Sequence, residues 1–313
     1  MKFSVIIITR NRLKDLINTI NAYQLQTWED KEIIIVDNAS NDGTKEYIPI
    51  HFPEIKYLWL PDNFDIRSIN IGIELSKGDI IWRTDDDSNP EDINAFKNVA
   101  EIFKKNPDID IICTEDIEVK SNYQIWEWYP LKVDKENIPP KGYPSNVFPG
   151  TGAAIRRKVY DKIGGFWEFG FEELDFCTRA IINGYNVRYF PNIRTLHYAS
   201  PGNRNQAQRW VKISKQLIRY QWKYFPFWNA LGRTILYFHV QLVEAIIKKI
   251  PISGILEGIF MMFATIFYTY REERNPVSKD MIPKITLGVN PLKMQYLYYK
   301  TIILRKLSKS KVK

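Results

Sequence analysis

Three carboxylates stand side by side at Asp85, Asp86 and Asp87, after the run Asp79-Ile80-Ile81-Trp82 and before Ser88-Asn89-Pro90. Adjacent like charges repel unless a cation or a positive partner sits among them. Alternate residues of an extended chain face the same way, so Asp85 and Asp87 are expected to converge on one ion. Hard oxygen ligands suit Mg²⁺ or Mn²⁺, with a substrate diphosphate completing the shell. The plainer alternative is a solvated acidic turn that caps a helix starting at Pro90. A strand leading into Thr84 and the acids favours the ion, because it delivers them to the ligand-binding edge of a sheet.

A second polar stretch, Asp37-Asn38-Ala39-Ser40-Asn41-Asp42-Gly43-Thr44, follows another apolar run. The Asp37 carboxylate can accept from the N3–H of a pyrimidine base. Ordinary turn and cap chemistry accounts for Asn41 to Thr44, since Asn, Asp and Gly are all turn formers.

The elements that must position these groups alternate. Phe3 to Ile8 is a β-branched run of strand length, followed by Leu13, Leu16, Ile17 and Ile20 at helical spacing. Glu32 to Val36, Tyr57 to Leu60, Asp79 to Trp82 and Asp110 to Cys113 read as four more strands. Such alternation predicts a Rossmann-like α/β fold, a mostly parallel sheet with helices on both faces. Ligands then bind beyond the carboxyl ends of the strands, which selects Thr9 to Arg12, Asp37 to Thr44 and Thr84 to Asp87. Ser121 to Pro149 lacks periodicity and reads as an excursion on the acceptor side, before regular structure resumes at Gly150 to Ile155.

With 313 residues, 45% hydrophobic and 26% charged, the chain is long and apolar enough to bury a core. Cys113 and Cys177 have no CxxC spacing and read as small buried thiols. The opening apolar run is too short for a signal sequence, so a cytoplasmic protein is expected. Net charge is +8, unevenly spread: from Ser200 onward 20 Lys/Arg face 5 Asp/Glu, and the preceding residues carry a net −7. The division expected is an α/β domain over 1–200 and a mainly helical, basic and aromatic segment over 201–313.

The ordered motifs resemble the inverting family 2 glycosyltransferases of the GT-A fold, over about Lys2 to Ser200. Val5 to Arg12 is similar to the family's first strand and loop, and Glu32 to Thr44 to its second. Asn63 to Gly72 resembles the segment preceding the family's DxD motif, and Gly78 to Asp87 the motif itself. Gly164-Gly165-Phe166 with Phe171-Glu172-Glu173-Leu174-Asp175 looks like the catalytic-base region. His197 stands where many members carry a histidine near the diphosphate. Asn38 and its turn resemble the rhamnosyltransferase-like branch.

The resemblance implies that Thr9, Asp37 and Arg67 hold the nucleobase, with Asn11 and Arg12 counted among the nucleotide contacts and Asp86 on the ribose. It assigns Asp87 to the metal, Mn²⁺ or Mg²⁺, with Asp85 and His197 assisting. An acceptor hydroxyl needs a base, and the family's Glu-Asp pair is replaced here by Glu172-Glu173. Glu173 is preferred as base, with Glu172 its rival; both otherwise serve only to cap the helix running to Asn183. Asp175 and Arg179, four apart on that helix, read as a surface pair. A single base opposite the leaving group implies inversion. The enzyme implied moves a hexosyl or deoxyhexosyl group to a lipid-linked or surface glycan.

Thr9-Arg10-Asn11-Arg12 lacks the glycines that a nucleotidyltransferase would place after its first strand, and no P-loop occurs. The Glu-for-Asp change leaves a catalytically silent sugar-nucleotide binder as the alternative. Nucleic acid is excluded as a partner by the acidic front and the lack of any recognisable module. The basic and aromatic stretch from Trp210 to Trp228 is expected to dock on the inner face of the cytoplasmic membrane. Ile250 to Tyr270 is long enough to cross a bilayer or to lie in its interface.

Overall fold

The computed structural model describes residues 1–119, 123–124, 129–198, 205–297, 299 and 300. The sheet begins with β1 (Phe3–Thr9) and β2 (Lys31–Asn38), isoleucine-rich runs that pair in parallel with Thr9 beside Asp37. β3 (Lys56–Leu60) extends the sheet on one side and β4 (Ile80–Asp85) on the other. β5 (Ser88–Pro90), β6 (Ile111–Glu118), β7 (Tyr123–Gln124), β8 (Tyr143–Pro144), β9 (Ala153–Arg156) and β10 (Val187–His197) complete it. The order is β3-β2-β1-β4-β9-β6-β10-β5, with β7 on β6 and β8 on β10. β5, β7, β8 and β9 run antiparallel to their neighbours and the rest are parallel.

Side chains alternate across β1, so one strand feeds two cores. Val5 and Ile7 pack with Leu16, Ile20, Trp82 and Phe96, under α1 (Leu13–Gln24) and α4 (Ala95–Lys105). Ile6 packs with Val36, Ile69, Ile81 and Phe176, under α3 (Ser68–Leu75) and α6 (Glu172–Ile182). Burial on both faces explains why these strands are continuous apolar runs. α2 (Thr44–His51) and α5 (Arg157–Ile163) flank the same sheet. The fold class expected from the sequence is the one observed.

Pro90 is a correction: it closes β5 and pairs with Thr195 of β10, and the helix begins only at Ala95. Proline lacks an N–H for the ladder and is tolerated at the end of a short edge strand. The part of the Ser121–Pro149 excursion at 121–122 and 125–128 lies outside the described residues. Within the remainder, Tyr129 is buried against Tyr189.

Beyond Asn205, whose side chain caps its first turn, runs α7 (Gln206–Tyr224). It is followed by α8 (Phe227–Ile247), α9 (Ile252–Tyr268), a π-turn at Thr269–Glu273 and α10 (Ile282–Thr286). Of the aromatic residues read as a membrane-docking stretch, Trp210, Tyr220, Trp222, Tyr224 and Phe225 are buried, whereas Phe227 and Trp228 are exposed. Several basic residues of α7 reach the α/β domain, with Lys212 on Asp65 at 2.9 Å and Lys215 on Glu168 at 3.0 Å, while Arg219 pairs with Glu273. Asp175 and Arg179 form no surface pair. Their 2.7 Å contact is largely enclosed, and Asp175 also takes Lys223 at 3.3 Å and the Tyr224 hydroxyl at 2.7 Å. This network bolts α6 to α7.

Candidate active site

β1, β2 and β4 all present their carboxyl ends on one edge, and the strand order reverses between β1 and β4. Thr9 lies beside Asp37 and Ile8 beside Asp85 in the ladders, so the pairing itself gathers the three polar strand ends. The loops beyond them are tied together. Asn11, at φ 54°, accepts from the Asn41 N–H and donates its own N–H to the Ser40 hydroxyl. Asp42 caps the start of α2 through Thr44 and also accepts from the Leu13 N–H at 3.0 Å.

Asp37 is fully buried and holds its own turn. Its oxygens accept from the Ser40 N–H at 2.8 Å and from the Tyr57 hydroxyl. Asn38 donates to Ser68 and accepts from the Phe64 N–H, which sets the loop that carries Arg67. Arg67 itself is exposed and stands outside the carboxylate cluster's bonds.

Asp86 and Asp87 turn inward beneath the loop. Thr9 donates its hydroxyl to Asp86 at 2.7 Å, and one Arg12 nitrogen reaches Asp86 at 2.9 Å and Asp87 at 2.7 Å. Antiparallel pairing of β10 with β5 sets His197 opposite Ser88, which brings its Nε2 within 3.5 Å of Asp87. The other ring nitrogen lies 4.0 Å from Asp116 at the end of β6.

Burial pushes Asp86 up to about 7; the Arg12 guanidinium opposes the rise and the Asp87 charge adds to it. Burial acts on Asp87 too, but His197 and Arg12 outweigh it and hold that carboxyl below its ordinary range. His197 is raised, because Asp87 and Asp116 overcome its own desolvation.

The Asp85 carboxylate lies 3.4 Å from Arg83, two residues back on the same side of β4, and its charge also adds to the rise of His197. The chain turns after Asp85, which ends the strand and its period of two. Arg83 also lies 3.3 Å from Glu173 at the start of α6. Glu172 is 5% exposed and folds back on the Gly170 N–H at 2.6 Å. The Glu173 side chain is 18% exposed. Burial raises both carboxyls; the Glu173 charge adds to the rise of Glu172, and Arg83 moderates that of Glu173.

Among the described residues, no three His, Cys, Asp or Glu side chains stand ready as a ligand set. The donor chemistry nevertheless fits a divalent ion. Carboxylate oxygens suit Mg²⁺ or Mn²⁺, and the Asp86–Asp87 pair already draws a cation, Arg12, between its oxygens.

Arg83 was missed by the sequence reading, although its spacing from Asp85 was the available signal. Gly150 belongs with it: a Cβ there would lie 2.0 Å from an Arg83 nitrogen and 2.8 Å from Glu173. Asp116 was also overlooked, at the carboxyl end of a strand assigned too short.

A sequence model described as "Glycosyl transferase family 2" matches residues 4–164. The chain is similar to the O-antigen chain rhamnosyltransferase RfbN of Salmonella typhimurium, 26% identical over 230 residues, 67% of this chain and 70% of that one. Among solved structures it is similar to S. aureus TarS 1–349 in complex with UDP-GlcNAc, with a TM-score of 0.61 and 15% identity, covering 96% and 90% of the two chains. The mannosyltransferase PcManGT from Pyrobaculum calidifontis, in complex with GDP-Man and Mn²⁺, gives a TM-score of 0.53 at 14% identity, covering 96% and 86%. The chain belongs to glycosyl transferase family 2, it is a glycosyltransferase, and its fold is GT-A.

Proposed function

We propose that this glycosyltransferase moves a sugar from a nucleotide-diphosphate donor to a hydroxyl of a glycan or lipid-linked acceptor, with inversion. The donor lies in the crevice over β1, β2 and β4. Thr9, Asn11, Arg12, Asp37 and Arg67 serve the nucleotide, and Asp86 the ribose. Asp87 and His197, with Asp85, would hold Mn²⁺ or Mg²⁺, which when bound supplies positive charge to the departing diphosphate.

One observation carries the reading. Arg83 touches both Asp85, on the donor side, and Glu173, so a proton acceptor and the acidic strand end share one buried cation. Glu173 takes the acceptor's hydroxyl proton as the acceptor oxygen bonds to the anomeric carbon. The bond from that carbon to the diphosphate oxygen breaks, and its electron pair leaves with the nucleotide. Glu173 is favoured over Glu172, which spends its carboxylate on Gly170.

The test is binding and slow hydrolysis of a panel of nucleotide sugars, with Mn²⁺, with Mg²⁺ and with EDTA, alongside Asp87→Ala. The expected result is one preferred donor, engaged with metal and lost in the variant. Donor binding unaffected by EDTA and by Asp87→Ala would overturn the metal assignment. A retained anomeric configuration in the product would overturn the single-base mechanism.

A further inference from the structure

α9 is built inside out. Ile252, Leu256, Phe260, Phe263 and Phe267 fall within about 80° of one another around the helix, and all are 55–77% exposed. The opposite side carries Gly254, Gly258, Met262 and Thr265, all buried. Gly258 lies so close to α7 that a Cβ there would sit 2.2 Å from the Trp210 ring. A helix on a water-soluble surface places its bulky apolar side chains inward. Small residues against protein and large apolar residues outward is the arrangement of a helix whose outer solvent is lipid. α8 repeats it with Trp228, Ile235 and Ile246, 67–79% exposed along one line.

We propose that the outer face of α9 seats in the plane of an anionic membrane surface. Charge complementarity selects this occupant. From Ser200 onward 20 Lys/Arg face 5 Asp/Glu; exposed Lys249 and Lys248, the latter paired with Glu244, precede the helix, exposed Arg271 beside Glu272 follows it, and Glu257 is the only charged residue within it. Exposed Trp228, Tyr268 and Tyr270 add the amphipathic rings that favour the headgroup region. The helix lies flat rather than across. α9 packs along α7, and α7 is ion-paired to the α/β domain through Lys212, Lys215 and Lys223. Crossing the bilayer would draw those charges toward hydrocarbon, whereas lying flat buries the apolar stripe alone. The inference does not depend on the reaction proposed above.

Flotation of the full chain with phosphatidylcholine vesicles, with and without phosphatidylglycerol, tests the surface. The protein is expected to float with the anionic vesicles. Replacing Phe260, Phe263 and Phe267 by Ser should weaken partitioning at least about ten-fold, with the melting temperature confirming that the variant folds. Lys248→Glu with Lys249→Glu should weaken it only on the anionic vesicles.

The orientation is tested with labels at Ser253→Cys and Ala264→Cys, on one side of α9; the native Cys113 and Cys177 are buried. Quenching by lipid-borne probes should place both labels at one shallow depth. Depths differing by about 16 Å, the rise over that interval, would mean a crossing helix and overturn the flat arrangement. Failure to float, or equal flotation of the triple variant, overturns the membrane surface. So does a dimer in solution that the triple variant dissociates, because a second copy then covers the face.

Discussion

Arg83 lies 3.3 Å from Glu173 and 3.4 Å from Asp85, and its guanidinium is almost entirely enclosed. A buried cation beside Glu173 favours that carboxyl's ionised form. Removing it in Arg83→Met leaves Glu173 desolvated with less to hold its charge. The acid limb of the kcat profile should move to higher pH, and kcat at neutral pH should fall. A purely structural loss would lower the active fraction without moving the limb, so the pH profile separates the two. Stability should fall by about 3 kcal/mol, as when one partner of a buried pair is removed.

Glu173→Gln should lower kcat by about 10²–10⁴-fold, the usual contribution of a general base, while leaving donor binding near wild type. Glu172→Gln keeps an oxygen for the Gly170 N–H and should retain most activity. Single-turnover rates on a saturating donor decide the matter. The reverse pattern would make Glu172 the base.

The fold was legible because β1, β2 and β4 are buried on both faces and therefore read as unbroken isoleucine-rich runs. What stayed hidden depends on partners remote in sequence. Pro90 looked like a helix start until β10 paired with it, more than a hundred residues later. Asp175 and Arg179 had the spacing of a surface pair, and only the arrival of Lys223 and Tyr224 encloses them. The aromatic residues of α7 looked interfacial because composition cannot say which side of a helix meets protein. The three strand-end clusters do share one edge, since parallel pairing in register puts them there. Arg12 escaped notice as the counter-ion of Asp86 and Asp87 because that contact spans more than seventy residues.

Gly150→Ala tests the same site by crowding. The new methyl would overlap an Arg83 nitrogen, with Glu173 close behind, so one of the two must shift. Donor affinity should hold, because Thr9, Asp37 and Asp86 are untouched. Displacement of a reacting group by about 1 Å can cost on the order of 10²-fold in rate. Isothermal titration with the donor beside turnover measurements gives both quantities, and a loss in affinity alone would place Gly150 in the donor site instead.

Glu32 ties β2 to its neighbours: it accepts from the Ser4 hydroxyl at 2.7 Å, from Lys56 at 2.7 Å and from the Lys77 N–H at 2.6 Å. Burial opposes its charge, but Lys56, Ser4 and the Lys77 N–H outweigh that and hold the carboxyl down at about 2, from an ordinary 4.5. A depressed carboxyl stabilises the fold in full above its unfolded value and loses that contribution as pH falls toward the folded one. Glu32→Gln keeps an acceptor for Ser4 and Lys77 but loses the charge, at a cost of about 1 kcal/mol near neutral pH, where solvent screens the Lys56 pair. Urea melts of both proteins from pH 7 downward should therefore show a gap that narrows between about pH 4.5 and 2. A gap that stays constant through that window would mean that packing, and not the carboxylate charge, holds this corner of the sheet.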